Sequence, residues 1–159
     1  MWRRTITDAA VHEGKKIYAF RQVLYRFSGF MKYIIATHGY LADGYVSSIQ
    51  VLTKKNNIYA VNAYVDDRDA ALQLKTIIES FENQEEIIIF TDLMCGSMTQ
   101  AVAPYLDRYN VRCITGINLP LILEFVLTTS TIDDAYIEHT IQEAQKQMVF
   151  VNHLLKQTQ

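Results

Sequence analysis

One histidine in this chain stands where an imidazole can act as a nucleophile. His38 closes a short apolar run, Tyr33-Ile34-Ile35-Ala36-Thr37, and is followed by Gly39. A glycine there lets the backbone turn sharply and lets a partner approach the ring. A nucleophilic imidazole needs one nitrogen exposed and the other held by an acceptor that fixes the tautomer. Asp92, at the end of a second apolar run from Glu86 to Thr91, is the acceptor to inspect. A carboxylate in that place would also stabilise the cation formed when the other ring nitrogen takes a phosphoryl group, as a triad carboxylate does for its imidazolium. Gly96-Ser97, just ahead of a helical pattern, offers backbone N–H groups and a hydroxyl to an anion. Ser97 reads equally well as a helix N-cap. From spacing alone, His38 also reads as an ordinary turn residue.

The remaining chemistry-bearing residues have plainer readings. Asp66, Asp67 and Asp69 cluster ahead of a helix, where carboxylates cap and complement the helix dipole. His12 lies in the first thirty residues, and His139 and His153 fall on or beside the last helical pattern with no second histidine four residues on. Metal binding is weakly supported. The Walker and GxGxxG patterns are absent, and no GxSxG surrounds Ser97. Two cysteines, Cys95 and Cys113, exclude a disulfide framework and a four-cysteine zinc site, and read as reduced thiols.

Strand and helix patterns alternate from Met31 onward. Tyr33–Ala36, residues 58–65, 86–91 and 111–115 read as four strands; the third, the most apolar, should be central. Between them run helical faces: Leu41, Tyr45, Ser48, Ile49 and Leu52; then Leu74, Ile77, Ile78 and Phe81; then Val102, Leu106 and Tyr109. A shorter helix is expected from about Pro120 to Leu127. A long one carries Ile137, Ile141, Ala144, Met148, Val151 and Leu155 on one face. Four strands alternating with helices predict an α/β parallel sheet covered on both faces. Ligands then sit beyond the carboxyl ends of the strands, where strand order reverses. The residues that end strands there are His38, Asp66, Asp92 and Asn118.

The chain has 159 residues, 50% of them hydrophobic, and a formal net charge of −2. That is one domain's length, with no nucleic-acid-binding excess of charge. The charge is uneven. Residues 1–30 hold Arg3, Arg4, Lys15, Lys16, Arg21 and Arg26 against Asp8 and Glu13, whereas the rest is net acidic. The step marks a boundary: residues 1–30 as an appended basic segment, residues 31–159 as the domain. Arg21, Gln22 and Arg26 interrupt any signal-peptide run. Ile17, Phe20, Leu24 and Phe27 recur at helical spacing, so a membrane-surface helix stays open beside an appendage without that role.

Taken together, Tyr33-Ile34-Ile35-Ala36-Thr37-His38-Gly39, then Asp92 with Gly96-Ser97, then Gly116-Ile117-Asn118-Leu119-Pro120 occur in the order of one family. From Met31 to about Leu155 the chain resembles the EIIA domain of the mannose/fructose/sorbose family of the bacterial phosphotransferase system. The resemblance implies a parallel sheet in the order 2-1-3-4, with the switch point between strands one and three. It implies that His38 takes a phosphoryl group from HPr on Nε2 and passes it to a histidine of EIIB, which phosphorylates the incoming sugar, with membrane EIIC and EIID engaged indirectly. Asp92 would hold the other ring nitrogen, and Gly39, Gly96 and Ser97 would surround the phosphate. No metal, nucleotide or other cofactor is implied. A cytoplasmic homodimer is implied, with an exchanged edge strand left open. With no EIIB-like stretch before Gln159, EIIB is expected as a separate chain. The family's loop after the aspartate usually reads Gly-Gly-Ser-Pro; here it is Cys95-Gly96-Ser97-Met98. A phosphocarrier subunit of a dihydroxyacetone kinase and a regulatory phosphorylation module are the competing readings.

Overall fold

A computed structural model describes residues 31–82 and 85–156. The basic amphipathic segment expected over residues 1–30 lies outside the described residues. Four strands form one parallel sheet in the order β2-β1-β3-β4: β1 Met31–His38, β2 Ile58–Ala63, β3 Glu86–Thr91 and β4 Val111–Thr115. The two inner strands are β1 and β3. Their continuous apolar runs follow from this, because an inner parallel strand is covered on both faces. Tyr33 to Thr37 and Ile87 to Thr91 are all buried.

Side chains alternate between the faces. Ile34, Ala36, Ile87 and Ile89 point to one side, where they join Leu74 and Ile78 of α2 (Ala70–Ser80) and Met98 and Val102 of α3 (Ser97–Val102). The opposite face holds Tyr33 and Phe90, their rings 6.3 Å apart. It is covered by α4 (Leu119–Leu127) and α5 (Asp134–Gln145): Phe125 lies edge-on to Phe90 at 5.6 Å and to Tyr136 at 5.7 Å, and the Tyr33 hydroxyl donates to the Phe125 carbonyl at 2.7 Å. Helix α1 (Leu41–Thr53) packs on β2 and α4. Each buried side chain of this size contributes about 1.5–3 kcal/mol.

Three expectations about the helices need correction. On α1 the buried residues are Ala42 and Ile49, while Leu41 and Leu52 are exposed; the inward stripe is narrower than the apolar residues suggest. The helix after Ser97 stops at Val102 and continues as a 3₁₀ turn, Ala103–Tyr105, leaving Leu106 and Tyr109 exposed. Pro104 is the reason, since it lacks the N–H that an α-helix would bond four residues back. The long final helix is two pieces, α5 and α6 (Val151–Lys156). Lys146, Gln147 and Met148 donate to carbonyls three residues back, which tightens and ends α5. Beyond it, Met148, Val149, Phe150 and Val151 are exposed.

Candidate functional site

His38 is the last residue of β1, and Asp92 follows β3 directly. The strand order makes β1 and β3 neighbours, so the two meet at the switch point. Asp92 Oδ2 accepts the His38 backbone N–H at 2.9 Å and lies 2.9 Å from His38 Nδ1. Oδ1 is 3.1 Å from Nδ1 and also accepts the Leu93 N–H at 2.9 Å. A carboxylate can only accept, so the Nδ1 beside it carries the proton, and in the neutral imidazole this leaves the lone pair on Nε2. Burial alone would push the Asp92 carboxyl up. The bonds from the His38 backbone and ring, with their charge attraction, outweigh that and hold it below the usual aspartate range.

On the other side of the ring, Ser97 Oγ stands 3.2 Å from Nε2. Ser97 opens α3, for which Gly96 is the N-cap residue without a side-chain cap bond. Gly96 is there for space: an added Cβ would lie 3.1 Å from both Leu93 Cβ and the Leu93 carbonyl oxygen, and 3.3 Å from His38 Cε1. The loop is tied down by its neighbours. The Leu93 carbonyl accepts the Gly96 N–H at 3.0 Å and the Thr99 hydroxyl at 2.8 Å, and Gln100 Nε2 donates to the Cys95 carbonyl at 2.8 Å. The Thr91 and Thr99 hydroxyls lie 2.7 Å apart.

Gly39 takes a φ of +59°, as the sharp turn requires, and its N–H donates to the Ala63 carbonyl at 2.9 Å. The backbone N–H groups of Gly39 and Gly96 are thus both engaged within the chain; near Nε2 it is the Ser97 hydroxyl that stands ready for an anion. Among the strand-end residues, Asp66 makes no hydrogen bond to His38 but pairs with Arg68 in an exposed turn, its carboxyl lowered chiefly by the Arg68 side-chain hydrogen bond; the two line a pocket with Tyr64 and Ser97. Asp69 caps α2 through the Ala71 and Leu72 N–H groups. Asn118 caps α4 by accepting from Leu121 N at 3.0 Å, and donates to the Ala144 carbonyl at 3.0 Å. The GxNxP stretch therefore serves the scaffold. Tyr45 reaches it, donating to the Ile117 carbonyl at 3.3 Å; burial and the Asp92 charge push its phenol up. Cys113 is a half-buried free thiol, pushed up by burial, and Cys95 is exposed. Among the described residues no set of His, Cys, Asp and Glu gathers as metal ligands, and no helix is long and apolar enough to cross a membrane.

One member of the site went unnoticed in the sequence. The Tyr64 ring stacks on His38, centroids 5.6 Å apart and planes 20° from parallel. With β2 read as running to Val65, the residue to inspect after it was Asp66. The strand ends at Ala63, which pairs with His38 itself, so the next residue lands beside the imidazole.

Residues 32–145 match the family model described as PTS system fructose IIA component, EIIA-man. Over 97 residues the chain is 36% identical to the PTS system sorbose-specific EIIA component of Klebsiella pneumoniae, covering 58% of this chain and 70% of that one. Among solved structures it is similar to a candidate phosphoenolpyruvate-dependent sugar phosphotransferase system permease from the same organism: TM-score 0.72, 27% identity, 79% of this chain and 93% of the other. The phosphotransferase system component EIIA of Streptococcus agalactiae shares the fold, with TM-score 0.64, 22% identity, and 77% and 98% of the two chains covered. The chain belongs to the EIIA family of sugar phosphotransferase systems, whose domains are phosphoryl-carrying relay components.

Proposed function

We propose that this EIIA-family chain takes its phosphoryl group from phospho-HPr on Nε2 of His38 and hands it to a histidine of EIIB on the way to sugar uptake. One observation carries the reading: the imidazole is clamped through Nδ1 to Asp92, which leaves Nε2 facing the Ser97 hydroxyl on a side chain that is 34% exposed. Proton held at Nδ1, the Nε2 lone pair attacks phosphorus as the Ser97 hydroxyl swings off the nitrogen. The donor's N–P bond breaks and its electron pair stays on the donor nitrogen. The His38 ring becomes cationic, and Asp92, kept ionised, faces that charge. The displaced Ser97 hydroxyl then has phosphoryl oxygens within reach as acceptors. Transfer to EIIB reverses these steps. The repulsion between Asp92 and the phosphate works against this, but the carboxylate is in hydrogen-bond contact with the ring and the phosphate is on its far side.

Large exposed side chains, Tyr40, Leu41, Leu93 and Met94, flank His38 and Asp92 in the chain and suit a protein partner better than a small molecule. Residues 31–159 carry the activity, residues 1–30 are an appendage, and the protein works in the cytoplasm as a homodimer. Incubation with phosphoenolpyruvate, enzyme I and HPr should place acid-labile phosphate on the wild type and on a protein begun at Met31, and none on His38→Ala. Equal labelling of His38→Ala would show that the acceptor is another residue.

A further inference from the structure

Tyr64 occupies a backbone conformation that does not suit it. Its φ is +64°, in the left-handed region that glycine and asparagine enter readily and bulky side chains rarely do. Such strain persists where the surroundings demand it, and it gathers at functional sites. Burial does not explain the choice of residue, since Tyr64 is 74% exposed. The turn does not explain it either, because glycine would serve better. What the conformation achieves is the stack: it lays the phenol ring over one face of the His38 imidazole. Separations of this order are those of favourable offset ring pairs.

The other contacts of His38 leave a gap that this ring fills. Asp92 fixes the Nδ1 edge and Ser97 touches Nε2. Both contacts are made at the edges of the ring, at its nitrogens, so neither packs against the faces to oppose a swing of the ring that would carry Nε2 sideways. A ring against the face does.

We propose that Tyr64 is a positioning residue for phosphoryl transfer: its stacked ring holds the imidazole plane so that Nε2 keeps its line to the incoming phosphorus. Its π face also favours the cationic ring that exists while phosphate is carried. The proposal rests on the phosphocarrier reading above and adds to it a residue type that neither spacing nor the family motif singles out.

The test uses the full chain and four proteins: wild type, Tyr64→Phe, Tyr64→Ala and Tyr64→Gly. Glycine removes the ring and also relieves the backbone, so Tyr64→Gly should melt no lower than wild type. In single-turnover transfer from phospho-HPr, the glycine and alanine variants should lose about tenfold in limiting rate, within the range that small misplacements cost. The half-saturating phospho-HPr concentration should stay within about twofold, and Tyr64→Phe should keep the rate within about threefold, because the ring and not the hydroxyl does the holding. In proton NMR spectra, the His38 ring protons should move downfield in the glycine and alanine variants as the ring current is lost, and stay put in phenylalanine. A wild-type limiting rate in Tyr64→Gly would overturn the proposal. So would a raised half-saturation at unchanged limiting rate, which would make Tyr64 a docking contact, or a phenylalanine variant as slow as alanine. A wild type that takes no phosphate from phospho-HPr would bring down the carrier reading itself, before any variant is compared.

Discussion

Both ends of the sheet carry side-chain pairs built on carboxylates, and the two ends use them differently. At the amino end, Lys32 meets Glu85 at 3.1 Å, and Arg112 meets both Glu86 and Asp134. These are flexible side chains in partial contact with water, and each such pair is worth about 0–1 kcal/mol. At the carboxyl end, Asp92 accepts from the His38 backbone, the His38 ring and the Leu93 backbone at once. The backbones differ as well. Every strand's exit holds a left-handed residue: Gly39 after β1, Tyr64 after β2, Cys95 after β3 and Gly116 after β4. Only one other is found among the described residues, Lys54 at the end of α1. The amino end is therefore expected to tolerate changes in its side chains, and the carboxyl end to depend on where individual atoms lie.

The hardest way to test that contrast is Asp92→Asn. It keeps the shape but can present an amide donor to Nδ1, which favours the wrong tautomer. Rapid-quench transfer from phospho-HPr should slow by about 10²–10⁴-fold, with the circular dichroism spectrum unchanged. The same pair gives a pH signature. Because the folded-state pKa of Asp92 is depressed, its contribution to stability is complete above the ordinary aspartate value of about 4 and is lost as pH falls through the lower folded value. In chemical denaturation, the stability gap between wild type and Asp92→Asn should therefore narrow below about pH 4.

Gly96→Ala should come next. Its φ of −68° suits alanine, so the effect is purely one of contact. The new methyl meets Leu93 Cβ and backbone oxygen, which cannot yield easily, and the His38 ring, which can. We expect transfer about 10–10²-fold slower and a loss of about 1 kcal/mol in urea denaturation. Cys95→Gly should act in the opposite sense on stability. It relieves a left-handed backbone at φ +63° and should gain roughly 1 kcal/mol in the same assay. At the amino end, Arg112→Met should cost less than about 1 kcal/mol and leave the transfer rate unchanged. A large kinetic effect there would erase the distinction between the two ends.

What the sequence made legible follows the same division. Burial on two faces writes itself as an unbroken apolar run, so β1, β3 and the residues at their ends, His38 and Asp92, are legible in the order of the residues alone. That they are neighbours came from the family resemblance, because strand order leaves no local mark. Tyr64 escaped because Val65 and Tyr64 look like strand residues, and a tyrosine gives no sign that its φ will be positive. Cys95 is hidden in the same way. The break after Gln145 escaped because periodicity tells which residues share a helix face but not where the surface they could cover ends. The stop at Val102 is written in the sequence as Pro104, against the apolar spacing of Leu106 and Tyr109 that points to a longer helix.

The turn that follows His38 is also short: only Gly39 and Tyr40 separate β1 from α1. Among the described residues, then, nothing long enough to fold over His38 leaves that strand. A phosphoryl group on Nε2 would stand at the surface beside Ser97, bound through a nitrogen–phosphorus bond that water can cleave. Such a carrier is suited to traffic and not to storage. Its useful charge lasts only as long as an acceptor arrives faster than hydrolysis does, so the fraction of molecules loaded at any moment would track how quickly the next protein in line is taking delivery.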